Sequence, residues 1–373
     1  MQLAYALNVW QALTGYFVLV AARVCLSNRA LRNYLKLPLI ERPKETESLP
    51  SVSIIIPARN EAHNLPALLA SLKALAYARC DILVVDDASS DGTTSAAEEH
   101  GARVICIDGP SRGWKGKPFA CWTGAQQAAG EWLLFTDADT VHQPDSLERV
   151  MRFALERKVQ AVSIFLQQRC VTFWERVLLP YAYQQYFVSV PYKRVNEPQD
   201  PAALANGQYM LIEREAYFRA GGHEAVKAAV VDDVALARQL KAKGVRLLVA
   251  RGERLASVRM YRGLGDIWAG FGKNAYGFLR QRGAGGLLTV LATILSGLAI
   301  PCAVYGLAAG DRAFEMAALV TYVSAVAELS LWQFLFGTPL SYAVFQPLAV
   351  VVFLAIALDS ALRRKHVWKG RVV

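Results

Sequence analysis

The stretch LLFTDADT, residues 133–140, ends a run of apolar residues with Asp137 and Asp139, two acids one position apart. Two carboxylates this close repel each other unless a cation or a proton lies between them. Carboxylate oxygens are also the ligands that hard divalent cations prefer in proteins. One interpretation of the motif is therefore a metal site at the end of a buried strand.

The strand that ends at this motif is one of four similar apolar runs. They are rich in Val, Ile and Leu and read SVSIIIP (51–57), DILVV (81–85), RVICI (103–107) and WLLFT (132–136). Helix-like stretches separate them, one with apolar residues at helical spacing (Leu65, Leu68, Leu69, Leu72) and one over 118–129, where Pro118 suits a first turn. Continuous apolar strands that alternate with helices predict an α/β fold with a mostly parallel sheet, covered on both faces.

In such a sheet, ligands bind at the carboxyl ends of the strands. The four predicted strands run into PARNE (57–61), DDASSDGT (86–93), DGPSRGWKGK (108–117) and DADT (137–140), so each end carries at least one acid. Each motif also has a simpler structural explanation. Asp86 and Asp87 could cap a helix or close a turn, and Asn60 and Glu61 could start a helix. The occurrence of all four at one predicted edge favours a binding site.

Several phosphate and metal motifs do not fit the sequence. No G-x-G-x-x-G follows the first predicted strand, Ser111 and Pro118 break a P-loop pattern, and Val141 occupies a ligand position of an EF-hand. The string DADTV does fit the D-x-D-x-T/V pattern of haloacid-dehalogenase-type phosphatases, and VVDD (230–233) could supply their late metal-binding acids. That family places its nucleophile after the first strand, whereas three predicted strands precede Asp137, so a phosphatase is a remote alternative.

The chain has the apolar segments of a membrane protein. Its hydrophobic fraction is 54%, and residues 1–22 carry no charge. A span needs about 20 residues. A signal peptide would need basic residues before the apolar run, but the first basic residue is Arg23, which favours a retained anchor over residues 1–26. Three candidate spans follow at about 286–309, 314–336 and 340–360, of which the middle one is the weakest. These segments leave residues 45–255 as a separate domain, followed by an amphipathic segment (256–285).

The net charge is +10, and the basic residues cluster at 23–36, 259–282 and in the tail at 361–373. The positive-inside rule places all three clusters, and hence residues 23–282, in the cytoplasm of a cell-membrane protein. Three crossing spans would leave the tail outside, so one of them could be re-entrant or interfacial. The basic residues flank spans, which favours lipid headgroups over nucleic acid as a partner. The six scattered cysteines are typical of reduced thiols.

In combination, these motifs resemble the membrane-bound family 2 glycosyltransferases with a GT-A fold. The resemblance covers most of residues 51–250. It rests on SIIIPARNE, ILVVDDASSDGT, GWKGKPFA, LLFTDADT, NGQYMLIEREAYFRAGGH (206–223) and VDDVALARQLKAKG (231–244). Within that family, the anchor, the later spans and FWERVLLPYAYQQYFVSVPYKRVNEP (173–198) look most like the enzymes associated with hopanoid and carotenoid biosynthesis.

The resemblance implies a nucleotide-sugar donor and a divalent metal, Mg²⁺ or Mn²⁺. DADT matches the family's D-x-D motif, which implies that Asp139 is a metal ligand and that Asp137 faces the ribose or shares the metal. The remaining donor-binding positions carried over from the family are Pro57, Glu61, Asp86, Asp87 and Lys117.

The family's catalytic base is the Asp of a Glu-Asp pair at the start of a helix, and Asp233 takes that role by resemblance. This chain has Asp232 in place of the Glu, and a neighbouring carboxylate could raise either pKa. Two acids in a first helical turn could also simply favour the helix dipole. One base on the face opposite the leaving group predicts inversion at the anomeric carbon.

The predicted acceptor is a membrane lipid. Processive synthases of the family carry Q-x-x-R-W, but Trp268 and Arg280 do not have that spacing. This favours transfer of a single sugar to a lipid hydroxyl, of hopanoid or carotenoid type, over chain elongation. A polyprenyl-phosphate sugar synthase or a polysaccharide synthase is the alternative. The residues assigned to the acceptor region are Trp114, Gln208, Asp232 and Trp268.

The segment 173–192 is rich in aromatic residues and bracketed by basic ones, which suits a membrane interface. A buried aromatic helix under the sheet is the alternative.

Two other classes of protein are alternatives to an enzyme. A catalytically inactive scaffold would need none of the acids at the sheet edge, and a transporter would need polar residues within the spans, where Glu328 is the central charged candidate. The sequence does not indicate an oligomeric state.

Overall fold

The computed structural model describes residues 2–41, 48–282, 284–362, 367–368 and 371–372. The chain forms two compact units. The helical unit comprises Met1–Lys36, Cys170–Val190 and Tyr261–His366. The sheet unit comprises Leu37–Arg169, Pro191–Met260 and Val367–Val373.

The bounds of the elements are as follows. The strands are β1 (Val52–Ala58), β2 (Cys80–Asp87), β3 (Arg103–Ile107), β4 (Trp132–Thr136), β5 (Thr140–His142), β6 (Ala161–Phe165), β7 (Gln167–Gln168), β8 (Tyr209–Glu213), β9 (Leu247–Arg251), β10 (Ala256–Val258), β11 (Val367–Trp368) and β12 (Arg371–Val372). The helices are α1 (Gln2–Leu35), α2 (Leu65–Lys73), α3 (Thr93–Glu99), α4 (Gly116–Gln127), α5 (Ser146–Glu156), α6 (Phe173–Val188), α7 (Tyr192–Val195), α8 (Arg214–Arg219), α9 (Asp232–Ala242), α10 (Leu264–Arg282), α11 (Ala284–Ser296), α12 (Ala299–Ala309), α13 (Arg312–Leu335) and α14 (Gln346–Leu362). Two 3₁₀ helices span Gly222–Val226 and Leu340–Phe345.

The sheet unit is built on a seven-stranded sheet with the order β3-β2-β1-β4-β8-β6-β9. Strands β1 to β4 run parallel to one another, and β6 pairs in parallel with β9. Strand β8 is antiparallel to both of its neighbours, β4 and β6. The prediction of an α/β fold with a mostly parallel sheet is therefore confirmed.

Both faces of the sheet are covered, which explains the continuous apolar strands. On β1, Ile54 and Ile56 join one core cluster together with side chains of α2 and α5. Ile55, which points to the other face, joins a second cluster with side chains of α4 and α9. All three isoleucines are fully buried. A strand that buries both faces cannot show the polar alternation of a half-exposed one.

The predicted strands and helices agree with these elements. The four predicted runs coincide with β1 to β4 within two residues at each end. Leu65, Leu68, Leu69 and Leu72 are the buried residues of α2. Helix α4 begins at Gly116, so Pro118 lies in its first turn as predicted, where a missing N–H breaks no helical hydrogen bond.

Among the described residues of the helical unit, four helices are long and apolar enough to cross a membrane. They lie at Asn8–Leu35, Gly286–Ala309, Arg312–Leu335 and Leu340–Leu362. The second is interrupted between α11 and α12. Pro301 has no N–H to donate to the carbonyl of Gly297, which accepts from Ile300 N at 3.0 Å instead. The three spans predicted near the C-terminal end match these helices closely.

A buried ion pair joins α1 to α13 within the helical unit. Arg23 Nη1 donates to Glu328 Oε2 at 2.8 Å, and Arg23 Nη2 donates to Ser324 Oγ at 2.6 Å. The side chains are only 3% and 14% exposed, which gives both charges a partner inside an apolar bundle. Glu328, the charged residue that a transporter interpretation required, therefore has a structural role in this unit.

The aromatic segment forms α6, which packs among other helices of its unit. Its start is capped by Thr172, whose hydroxyl accepts from Glu175 N while the Glu175 carboxylate accepts from Thr172 N. Phe187 is fully buried and lies against Tyr34 and Trp332, with ring centroids 5.0 and 6.0 Å away. Most of the segment thus contacts protein within the helical unit. Its location at a membrane interface stays a prediction.

Candidate active site

A pocket lies at the carboxyl ends of β1 and β4. Pro57 near the end of β1, Asp137 after β4, and Lys117 in the first turn of α4 contribute to its wall. Helix α9 contributes Asp232 and Asp233 from its first turn. The pocket thus brings together five residues that the sequence analysis singled out. The other residues that line it are Cys121, Phe135, Thr136, Gly207, Met210 and His223.

The carboxylate of Asp233 accepts two backbone hydrogen bonds. Gly207 N donates to Oδ2 at 3.0 Å, and Val234 N donates to Oδ1 at 2.7 Å. Gly207 lies in the loop before β8, so this contact joins two segments that are far apart in the sequence. A Cβ at Gly207 would lie 3.2 Å from both Asp233 Cβ and Lys117 Nζ, closer than ordinary van der Waals contact.

Burial and the neighbouring charge of Asp232 raise the pKa of Asp233 to about 6. Lys117 and the two backbone donors act in the opposite direction. This agrees with the expectation from the sequence that a neighbouring carboxylate could raise the pKa of either acid. A carboxylate with a pKa near neutrality is still ionised at pH 7 and is a stronger base than an ordinary aspartate.

Lys117 forms an ion pair with Asp137 beside Asp233. Its Nζ lies 2.6 Å from Asp137 Oδ1. Although burial acts to lower the pKa of Lys117, the charges of Asp137 and Asp232 raise it well above its usual range. The pocket therefore holds one fixed positive charge among three carboxylates, an arrangement able to bind an anion or to be joined by a second cation.

The carboxylates of the DADT motif offer oxygen ligands of the type that Mg²⁺ and Mn²⁺ prefer. Asp137 and Asp139 are both partly exposed and follow β4 directly. Within the described ranges, no group of three or more His, Cys, Asp or Glu side chains is arranged to hold a metal ion. A site with two carboxylates fits a divalent ion that takes its remaining ligands from substrate phosphates. The donor set is thus compatible with the metal that the sequence predicts.

Buried hydrogen bonds hold the loop that carries Asp137. The Thr140 hydroxyl donates to the carbonyl of Asp137 at 2.8 Å, and the Thr136 hydroxyl donates to the carbonyl of Gln208 at 2.9 Å. His142 Nε2 lies 3.1 Å from the Thr136 hydroxyl oxygen and 3.2 Å from that of Thr140. Because both hydroxyl protons are donated elsewhere, Nε2 carries the proton and donates to the two hydroxyls. Burial lowers the pKa of His142 to about 3, so its ring is neutral.

The other predicted donor residues lie at the ends of β1 and β2, outside the pocket wall. Asp86, paired with Ala58 across the two strands, accepts from Ser89 N at 3.0 Å and from the Thr94 hydroxyl. Glu61 is buried and accepts from Asn64 Nδ2 at 2.7 Å. Asp87 is buried at the end of β2. The turn-closing role considered for Asp86 is therefore present in the structure, and the binding roles of these three acids stay predictions.

The residues assigned to the acceptor region are spread over both units. Gln208 is buried and accepts from Asn206 Nδ2 at 3.0 Å. Trp114 precedes α4 and packs against Phe119. Trp268 belongs to the helical unit, where its indole N–H donates to Asp359 Oδ2 at 2.9 Å. Only Asp232 of this set lines the pocket.

Sequence reasoning did not single out Gly207 and His223, although both lie in the quoted stretch 206–223. A glycine that follows an asparagine, and a histidine that follows two glycines, are weak local signals, since such patterns are common in loops. Their roles depend on Asp233 and on the pocket, which are distant in the sequence.

Residues 53–218 match the profile of Glycosyl transferase family 2. The chain thus carries a family 2 glycosyltransferase domain over these residues. Among curated relatives of this chain, the 4,4'-diaponeurosporenoate glycosyltransferase of Staphylococcus haemolyticus is 26% identical over 241 residues, which cover 63% of this chain and 64% of that one. The enzyme of that name from Staphylococcus aureus is 27% identical over 245 residues, covering 63% and 62%. The chain thus spans less than two thirds of the length of these relatives.

A solved structure resembles the fold of this chain over most of its length. It is a mannosyltransferase from Pyrobaculum calidifontis in complex with GDP-mannose and Mn²⁺, with 20% identity and a TM-score of 0.56, covering 94% of this chain and 98% of that one. At this identity the likeness concerns the fold, which is of the GT-A type. The fold and the family that the sequence analysis predicted are therefore confirmed.

Proposed function

We propose that this family 2 member transfers a single sugar from a nucleotide-diphosphate sugar to a polyisoprenoid-derived membrane lipid, with inversion at the anomeric carbon. The observation that carries the proposal is the pocket itself. It combines a carboxylate of raised pKa, Asp233, with a lysine and with the first acid of the DADT motif, at the sheet edge where α/β folds bind ligands.

In the proposed reaction, Asp233 accepts the proton of an acceptor hydroxyl. The acceptor oxygen forms a bond to the anomeric carbon as the bond from that carbon to the phosphate oxygen breaks, and the electron pair leaves with the nucleoside diphosphate. Lys117 contributes a positive charge near the leaving group. Asp137 and Asp139 would hold a divalent ion, which when bound offsets the negative charge of the diphosphate.

The acceptor is proposed from two observations. Four helices could place the enzyme in a bilayer, where a polyisoprenoid dissolves. The Staphylococcus relatives are named for a carotenoid acid. A carboxylate acceptor would already be deprotonated and would need no general base, whereas a hydroxyl would. The basic pocket carboxylate of this chain therefore favours a hydroxyl acceptor.

Lipid extracts of cells with and without the gene provide the first test. We expect a lipid whose mass increases by one sugar, on a polyisoprenoid that contains no phosphate. The product should survive mild alkali, because a glycoside does and a glycosyl ester does not. Sugar on a polyprenyl phosphate would instead support the alternative synthase, and an unchanged lipid profile would contradict the proposal.

The variant Asp233→Asn tests the base. Loss of a general base should lower the rate of transfer by roughly 10²–10⁴-fold. Nucleotide-sugar binding should change little, since the amide keeps the size of the side chain. Asp145→Asn is the control, because this acid lies before α5 with a 42% exposed side chain. Unchanged transfer by Asp233→Asn would refute the assignment of the base.

A further inference from the structure

His223 lies in the wall of the pocket, in the 3₁₀ helix Gly222–Val226. Its side chain is buried, with its ring edge-on to Phe135 at a centroid distance of 4.9 Å. The same wall includes Lys117, Asp232 and Asp233, yet the proposed reaction gives this histidine no role.

The hydrogen bonds of Tyr217 determine which nitrogen of His223 carries the proton. The Tyr217 hydroxyl accepts from His223 N at 3.0 Å and lies 2.8 Å from Nδ1 of the same histidine. The hydroxyl has one proton, and among the described residues Nδ1 is its acceptor. Nδ1 therefore accepts, and the neutral ring carries its proton on Nε2. Burial and the charge of Lys117 lower the pKa of His223 to about 3, which keeps the ring neutral at physiological pH.

The backbone before His223 is shaped to hold the ring in this position. Gly221 and Gly222 have φ values of 85° and 49°. A Cβ at Gly222 would come within 2.5 Å of the Tyr217 ring and 2.9 Å of the Trp122 ring. Only glycine allows the chain to pass this close to both rings, so His223 is presented to the pocket by a rigid turn.

The neighbours of His223 indicate which kind of ligand group could accept a hydrogen bond from its Nε2–H. Among the described residues, no protein group is hydrogen-bonded to Nε2. The same wall carries the carboxylates of Asp232 and Asp233 beside the ammonium group of Lys117. A hydroxyl group can donate to a carboxylate and accept from an N–H at the same time. The wall thus offers the complementary donor and acceptor pair that a sugar hydroxyl requires.

We propose that the Nε2–H of His223 donates a hydrogen bond to a hydroxyl oxygen of the sugar that is transferred. This inference rests on the proposed function. It makes His223 a residue that selects the donor sugar and gives it no part in binding the nucleotide or the metal.

The test compares the dissociation constants of a nucleotide sugar and of its nucleoside diphosphate for the full-length protein in lipid nanodiscs, without acceptor. The pair used is the one that the wild type binds most tightly among UDP-glucose, UDP-N-acetylglucosamine and GDP-mannose. In His223→Phe we expect the nucleotide sugar to bind roughly tenfold more weakly, since one hydrogen bond is lost, with unchanged binding of the diphosphate. His223→Gln, which keeps an N–H donor, should recover part of the loss.

Deoxy analogues identify the hydroxyl. The wild type should bind one monodeoxy form of the nucleotide sugar roughly tenfold more weakly than the parent, and His223→Phe should bind the two equally. Equal weakening of diphosphate and nucleotide sugar in His223→Phe would overturn the proposal, as would a wild type that does not distinguish any monodeoxy form. The analogue comparison on the wild type decides the matter even if His223→Phe fails to fold.

A failure of the proposed function would look different. In that case the wild type would bind none of the nucleotide sugars, or Asp233→Asn would retain transfer. A wild type that binds and transfers, with His223→Phe unaltered in sugar affinity, would overturn the role of His223 alone.

Discussion

The environment of Asp233 balances two opposing influences at a single side chain. The N–H groups of Gly207 and Val234 stabilise its anion, as does Lys117, whereas burial and Asp232 disfavour the anion. The result is a carboxylate with a pKa of about 6, close to the pH at which a general base is most effective. The replacement of the family's Glu by Asp232 is therefore compatible with a base at the next position.

The activity should depend on pH through this carboxylate. As the pH falls below about 6, Asp233 is protonated and kcat/KM should fall about tenfold per pH unit. Asp232→Asn removes a negative neighbour, so the pKa of Asp233 should fall and the acid limb of the profile should move to lower pH. Profiles of the two proteins between pH 4.5 and 8 measure this shift. An acid limb at the same pH in both would show that Asp232 does not set it.

The raised pKa of Asp233 should also affect the free energy of unfolding, which should fall as the pH rises and the activity increases. Since the pKa of Asp233 is raised above its unfolded value of 3.8, its contribution to folding is fully present below that value and is lost as the pH rises through about 6. The free energy of unfolding of Asp233→Asn relative to the wild type should therefore be higher at pH 7.5 than at pH 4, by about 1–2 kcal/mol. Thermal unfolding at pH 7.5 and at pH 4 tests this, and an equal gain at both values would contradict it.

At the scale of elements, His142 in β5 ties two loops of the site together. Through Thr136 and Thr140 it links the end of β4, the DADT motif and the loop before β8 that supplies Gly207. One neutral ring thus holds two loops, one that carries Asp137 and one that carries Gly207, the N–H donor to Asp233. This makes His142 a positioning residue that does not touch the pocket.

Two substitutions of His142 distinguish the effect of its hydrogen bonds from the effect of its side-chain volume. Gln can place an N–H close to the position of Nε2, whereas Asn is too short. We expect His142→Asn to lower the free energy of unfolding by roughly 1–3 kcal/mol, because buried hydroxyl oxygens lose their donor, and to weaken binding of Mn²⁺ with nucleoside diphosphate. His142→Gln should lose less of both. The same pair of changes at the exposed His63 is the control. Equal behaviour of the Gln and Asn variants at position 142 would contradict the role of Nε2.

Local patterns predicted the elements of the sheet well. The strands β1 to β4 could be read from the sequence because each buries both faces and is bounded by turn residues. The antiparallel strand β8 could not be predicted, because its place between β4 and β6 depends on pairing with strands far away in the chain. The environment of α6 could not be predicted either. Its aromatic content does not distinguish contact with lipid from contact with Tyr34 and Trp332.

At the scale of the whole molecule, the charge distribution and the number of apolar helices predict different membrane topologies. Four crossing helices would place residues 36–282 and the basic tail on opposite sides of the membrane, whereas the positive-inside rule places both in the cytoplasm. We expect a cytoplasmic tail, with one of the three C-terminal candidates not crossing.

A fluorescent-protein fusion after Val373, which is fluorescent only in the cytoplasm, tests this topology. Single cysteines at Arg312 and Leu340, in an otherwise cysteine-free chain, can then be labelled with an impermeant maleimide to show which helix does not cross. A dark fusion that is nevertheless expressed would contradict a cytoplasmic tail.

The sequence by itself determined the α/β fold, the four parallel strands, the apolar helices and the acids at the sheet edge. These features depend on periodicity and on neighbours within a few residues, which a sequence displays directly. Only the tertiary structure decided that Gly207 donates to Asp233, that Lys117 pairs with Asp137, and that His223 lines the pocket. Each of these contacts joins segments far apart in the chain, and its strength depends on burial, which no local pattern records.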